Sequence, residues 1–224
     1  MTVTSFDISS LQTGDLLFCH EPRDYGGDSS TWSGWLAGGV MHMFSTAIQS
    51  ATGSPFSHVA MVLRDPSFIR PPLSGLYVWE SSVEEVKDPQ DGKSGKVGVR
   101  MTPLKDFLQK FADDGNSVVL RRLVASDGIM STAKLRAIHQ TVYCKPYDLV
   151  MRDWIASLRP ANQHIQATDR FWCSALVGYI YTKCGILAAD TDWTTLSPAD
   201  LAMSTQRLSY VRPERACLDS SEVL

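Results

Sequence analysis

The order of the apolar segments constrains this chain more than any other feature. Short runs of strand character come early, at 14–19, 56–63, 76–80, 96–101 and 117–123. The strongest run of helical character, 171–184, comes late and closes on Lys183 and Gly185, a basic last turn followed by the residue that best ends a helix. Strands gathered ahead of a late helix do not make a βαβ alternation. No glycine-rich phosphate loop follows any strand, so a nucleotide-binding architecture is not expected. The expected fold class is α+β, an antiparallel sheet packed against helices.

The remaining punctuation fills in this frame. Thr102 and Pro103 read as an N-cap and first helical residue, opening a helix that ends near Gly115, with Leu104, Phe107, Leu108 and Phe111 on one face. A second helix is expected over 131–143, with Leu135, Ile138 and Val142 inward and Pro146 beyond its end. Residues 35–51 and 147–158 read as helical segments. Ser197-Pro198-Ala199-Asp200 opens a short last helix, and 206–212 reads as a final strand. There is no internal repeat. Residues 1–212 are expected to form a single domain carrying an uncharged insertion at 29–55 near its site, and 213–224 a mobile tail.

Composition narrows the function. A chain of 224 residues with net charge -3 has no general basic field to attract nucleic acid. Arg121-Arg122 and the segment from Lys105 to Lys110 read as solvated faces. Five cysteines without a CxxC pair make neither a disulfide framework nor a zinc ribbon; they suit a reducing, intracellular compartment. The first residues lack the pattern of a signal peptide, and no run of about 18 apolar residues suggests a membrane span. From Ser29 to Leu63 there is no Asp, Glu, Lys or Arg. That stretch is core, or an amphipathic segment lying against lipid or substrate.

Three residues carry the candidate chemistry. Cys173 falls in the first turn of the strongest helix, where free N–H groups and the helix dipole favour a thiolate and offer donors to an oxyanion. His58 interrupts an apolar strand, and Glu80 ends the next one. Adjacent antiparallel strands can set the two side by side, completing a nucleophile, base and orienter. Taken singly, each has a plainer role: a small core cysteine, a hydrogen-bonded core histidine, a strand-end carboxylate. Cys19 and His20 are neighbours on a strand and point to opposite faces. His139 and Cys144 are spaced poorly for sharing a metal. His42 sits in the uncharged stretch.

Taken in order, Gly14-Asp15-Leu16-Leu17-Phe18, Ser54-Pro55-Phe56-Ser57-His58-Val59-Ala60-Met61-Val62, Trp79-Glu80-Ser81, Pro146-Tyr147-Asp148, Phe171-Trp172-Cys173-Ser174-Ala175-Leu176-Val177 and Ser197-Pro198-Ala199-Asp200-Leu201 resemble the circularly permuted branch of the NlpC-like, papain-fold cysteine hydrolases. In that branch the histidine strand precedes the cysteine helix. It includes amidase-like, poxvirus-type and lecithin–retinol acyltransferase-like proteins. The resemblance covers about residues 11–205. It implies a permuted papain-like fold with the nucleophile at a helix N-terminus, Cys173 as nucleophile, His58 as general base and acid, and Glu80 as the third residue. Tyr147 matches a tyrosine often found near the cysteine, as a donor to the reacting carbonyl; otherwise it is a turn residue after proline. Ser57 and Trp172 flank the pair as further oxyanion or substrate contacts. Two departures matter. Ala175 stands where relatives often carry Glu or Gln, and Glu80 stands where the acyltransferase group prefers a second histidine, which favours the amidase-like side.

The expected function is therefore a thiol hydrolase or acyltransferase that cleaves an amide, ester or thioester through a thioester on Cys173, with no metal or organic cofactor. A peptide, amide or acyl-lipid substrate suits it. The segment with Trp32, Trp35, Leu36, Met41, Met43 and Phe44 offers an apolar wall, and through Trp35 and Phe44 peripheral membrane contact is an open option. An isopeptidase of small protein modifiers, or an inactive scaffold or binding protein on the same fold, are the alternatives.

Overall fold

The computed structural model describes residues 7–20, 55–82, 87–113, 117–148, 168–203, 210 and 216–223. The expected insertion at 29–55, including Trp35, His42 and Phe44, lies almost wholly outside the described residues. So do most of the segment 147–158 and, apart from Tyr210, the expected strand at 206–212.

The early apolar runs become β1 (Leu16–His20), β2 (Phe56–Arg64), β3 (Leu76–Ser82), β4 (Gly98–Pro103) and β5 (Ser117–Ala125). With β6 (Ala216–Val223) they form one antiparallel sheet in the order β4-β3-β2-β1-β5-β6. The class is α+β, as the segment order implies.

Helices cover both faces. One face carries α1 (Leu104–Asp113), whose Leu104, Phe107 and Phe111 pack on Leu17, Cys19, Ala60, Val62, Val78 and Leu120. The other carries α2 (Thr132–Val142), α3 (Cys173–Cys184) and α4 (Pro198–Met203). They close a larger core over Leu16, Phe18, Val59, Met61, Trp79 and Met101. The two residue sets alternate along β1 and β2, as the pleat requires of a sheet buried on both sides. No helix among the described residues is long and apolar enough to cross a membrane.

Local signals explain most helix ends. Ser131 caps α2 by accepting from Lys134 N. Ser197 and Asp200 bond reciprocally at the start of α4, a capping box worth about 1 kcal/mol. Gly185 closes α3 with φ 79°, the left-handed conformation glycine adopts without strain.

Four sequence readings are corrected. Thr102 and Pro103 do not open α1; they end β4, because the Thr102 hydroxyl is committed to Glu80 across the sheet. The 213–224 segment is no mobile tail over Ala216–Val223, since β6 pairs there with β5, from Ala125 opposite Ala216 to Val119 opposite Val223. An edge strand needs only backbone partners, so its polar side chains hid it. Arg121 is not solvated. It is buried and donates to the carbonyls of Leu201, Ala202 and Leu218, tying the end of α4 to β6. Cys144, which with Cys19, Cys184 and Cys217 reads from the sequence as a packing or tail residue, is exposed and has φ 58°.

Candidate active site

The site forms where β2 and β3 part. Their ladder runs from Arg64 opposite Leu76 to Met61 opposite Trp79. Beyond it β3 follows β4, pairing from Tyr77 to Ser82 with Pro103 to Gly98, while β2 follows β1. Continued, the β2–β3 register would set Glu80 opposite Ala60, one diagonal step from His58. The two side chains therefore share a face but meet obliquely, with His58 Nε2 3.0 Å from Glu80 Oε2.

The start of α3 comes to this opening from the other face. Cys173 is the first residue of the helix, and Trp172 is its N-cap, with no side-chain capping bond. The Cys173 sulfur lies close enough to His58, and to the backbone N–H groups of Val59 on β2 and of Ser174 in its own first turn, for each of them to stabilise a thiolate. Because Nε2 of His58 faces Glu80, Nδ1 is the nitrogen left for the thiol.

The backbone before the helix is held on three sides. Phe171 N donates to Pro146 O at 3.1 Å, Asp148 N donates to Phe171 O at 3.2 Å, and the Ser81 hydroxyl donates to the same carbonyl at 2.6 Å. Pro146 in turn bridges to Gly98 at the start of β4, and Val99 N donates to Lys145 O. Gly98 has φ 133°, and a Cβ there would run into Lys145 O and the Pro146 backbone. Glycine at this position lets the 145–148 strand lie close enough to clasp Phe171.

Glu80 is 2% exposed and Arg100 is fully buried. They are directly opposite each other on β3 and β4. Arg100 Nε and Nη2 each lie 3.3 Å from Glu80 Oε1, and the Thr102 hydroxyl donates to the same oxygen at 2.6 Å. Burial alone would raise the carboxyl. The His58 bond, the Arg100 charge and the Thr102 bond together bring it down to about 2. For His58 burial disfavours the cation, but bonds to Cys173 and Glu80 more than offset it and push the imidazole up to about 10. The Cys173 thiol, which burial would raise, is lowered by His58 and the two backbone N–H donors. All three shifts favour a thiolate–imidazolium pair resting on an ionised carboxylate.

Cys173, His58 and Glu80 thus come together from α3, β2 and β3. Tyr147 joins them: its backbone bridges to Phe171, and its phenol is raised by burial and by the nearby Cys173. Trp172 is adjacent by chain and packs at the edge of the larger core. Ser57 is committed elsewhere, its buried hydroxyl donating to Cys19 O at 3.5 Å, beside the bulge between β1 and β2. The other described cysteines differ. Cys19 and Cys184 are buried, and burial pushes the Cys184 thiol up to about 11. His139 packs among Phe68, Trp79 and Tyr143, bonded to Gln90. Among the described residues no cluster of His, Cys, Asp or Glu is arranged to hold a metal.

Sequence reasoning missed Arg100 and Thr102. Their spacing of two in a strand was the available signal, since it puts both on one face. Only the β3–β4 register says that the face is Glu80's. No protein-family model matches the chain, and no curated protein matches it.

Proposed function

We propose that the protein is a thiol hydrolase or acyltransferase with the permuted, NlpC-like papain-type arrangement. The observation that carries this reading is the chain of contacts from the Cys173 sulfur at a helix N-terminus, through His58, to the buried Glu80 carboxylate. The thiolate attacks the carbonyl carbon of an amide, ester or thioester, and the carbonyl oxygen takes the negative charge. Backbone N–H groups at the start of α3, together with the Tyr147 hydroxyl, are the donors this reading assigns to that oxygen. His58 Nδ1 gives its proton to the leaving group, and a thioester on Cys173 remains. His58 then takes a proton from water or another acceptor, which attacks the thioester carbon and expels the Cys173 thiolate, restoring the thiolate–imidazolium pair. Glu80 keeps the imidazole in the orientation and tautomer that both steps need. A carboxylate rather than a second histidine at that position favours the amidase-like side over the acyltransferase group.

The test uses a background with Cys144 and Cys217 both changed to Ser, so that the exposed Cys144 and the thiol of β6 do not contribute to labelling. At neutral pH and low reagent concentration, iodoacetamide should label Cys173 in the parent, and Cys173→Ala should abolish that labelling while circular dichroism is unchanged. A panel of activated amides and esters should lose turnover with the same substitution. Labelling or turnover that persists in Cys173→Ala removes the assignment.

A further inference from the structure

Arg100 brings a fourth charge to the site. A carboxylate oxygen accepts along about two lone-pair directions. Glu80 Oε1 already takes the Thr102 hydroxyl and two guanidinium N–H groups of Arg100. That leaves Oε2 as the oxygen turned to His58. The charges also close. Among the described residues thiolate, imidazolium, carboxylate and guanidinium sum to zero, where Glu80 and Arg100 are almost inaccessible to water. Without the guanidinium the other three would carry one unbalanced buried negative charge, and the least costly relief is to hold a proton on Cys173 or Glu80.

We propose that Arg100 is a positioning residue for Cys173, acting through Glu80: it keeps the carboxylate ionised with Oε2 aimed at His58 and completes a charge-neutral buried quartet. The inference rests on the Cys173–His58 reading above. The groups facing Glu80 are His58 from β2 and Arg100 and Thr102 from β4, with Cys173 of α3 beyond the imidazole. The helix α1, packed on this face, presents Leu104, Phe107 and Phe111 to it, and its Lys105 and Asp106 are exposed. Arg100 is thus the cation that balances the carboxylate from β4.

The experiment is the pH profile of Cys173 alkylation by iodoacetamide in the same background, with Cys144 and Cys217 both changed to Ser. Arg100→Gln should move the acid limb up by about one pH unit, which is about a tenfold loss of rate at a fixed pH on that limb. Arg100→Lys keeps the charge without the planar fork and should move it less. Thr102→Val removes one Oε1 donor and should give a smaller upward shift. A folded Arg100→Gln protein whose acid limb coincides with the parent overturns the proposal, as does an Arg100→Lys shift as large as that of Arg100→Gln. Should Arg100→Gln not fold, an unmoved limb in Thr102→Val overturns it. A parent profile like that of a free thiol, near about 8.5, defeats the functional reading instead. A depressed parent profile that Arg100→Gln leaves unmoved defeats this inference alone.

Discussion

Glu80→Gln keeps the side chain's shape and removes its charge, and the neighbouring donors dictate how the new amide must sit. It must turn its oxygen toward Arg100 and Thr102, since an NH2 group there would face guanidinium donors. Its NH2 then meets His58 Nε2, which has to accept. The one proton of the neutral imidazole moves to Nδ1, the nitrogen that faces Cys173. The base can no longer take the thiol proton, and the imidazolium has lost its counter-ion. The corresponding amide substitution in a serine protease triad, also a wrong-tautomer defect, lowers the rate about 10⁴-fold. Alkylation follows the thiolate fraction, so for Cys173 at neutral pH we expect a loss of about 30-fold or more, the value for a thiol returned to about 8.5. Stability should change with a defined pH sign. The Glu80 carboxyl is lowered from 4.5 to about 2. At about 1.4 kcal/mol per pKa unit this contributes about 3 kcal/mol, present above pH 4.5 and lost as the pH falls toward 2. In urea titrations Glu80→Gln should therefore be less stable than the parent at pH 6, with the gap narrowing below pH 4.5 and closing only toward pH 2. Alkylation within about tenfold of the parent, or a stability gap independent of pH, would refute this reasoning.

Two other substitutions test the scaffold. Gly98→Ala places a Cβ against Lys145 O and the Pro146 backbone at a positive φ. It should cost about 2 kcal/mol or more and slow alkylation of Cys173 through the displaced clasp on Phe171, read by thermal melting and labelling rate. A melting temperature unchanged by the methyl group would show that the 145–148 strand is not held there. Arg121→Met leaves three carbonyls at the α4 end and β6 without their buried donor. It should lower stability by about 3 kcal/mol and deprotect the amides of β6 in hydrogen exchange, with Cys173 reactivity retained in the folded fraction.

The sequence alone determined the local elements. Leu135, Ile138 and Val142 inward on α2, Ser197 at the opening of α4, and Gly185 as the stop of α3 follow from spacings of three and four and from chemistry within one turn. The placement of Cys173 at a helix start, and of His58 and Glu80 on successive strands, was legible for the same reason. Tertiary structure decided the rest. Arg100 read as one residue of the strand at 96–101, and Thr102 read as a cap, until the β3–β4 register set them against Glu80. Arg121 read as a surface charge until α4 and β6 brought their carbonyls to it. The opening between β2 and β3 that admits the Cys173 thiol exists because β3 follows β4 and β2 follows β1, a division that no single segment carries. Helix signals act over a turn of neighbouring residues, whereas strand register joins positions far apart in the chain, so the elements were written locally and the charged network of the site was not.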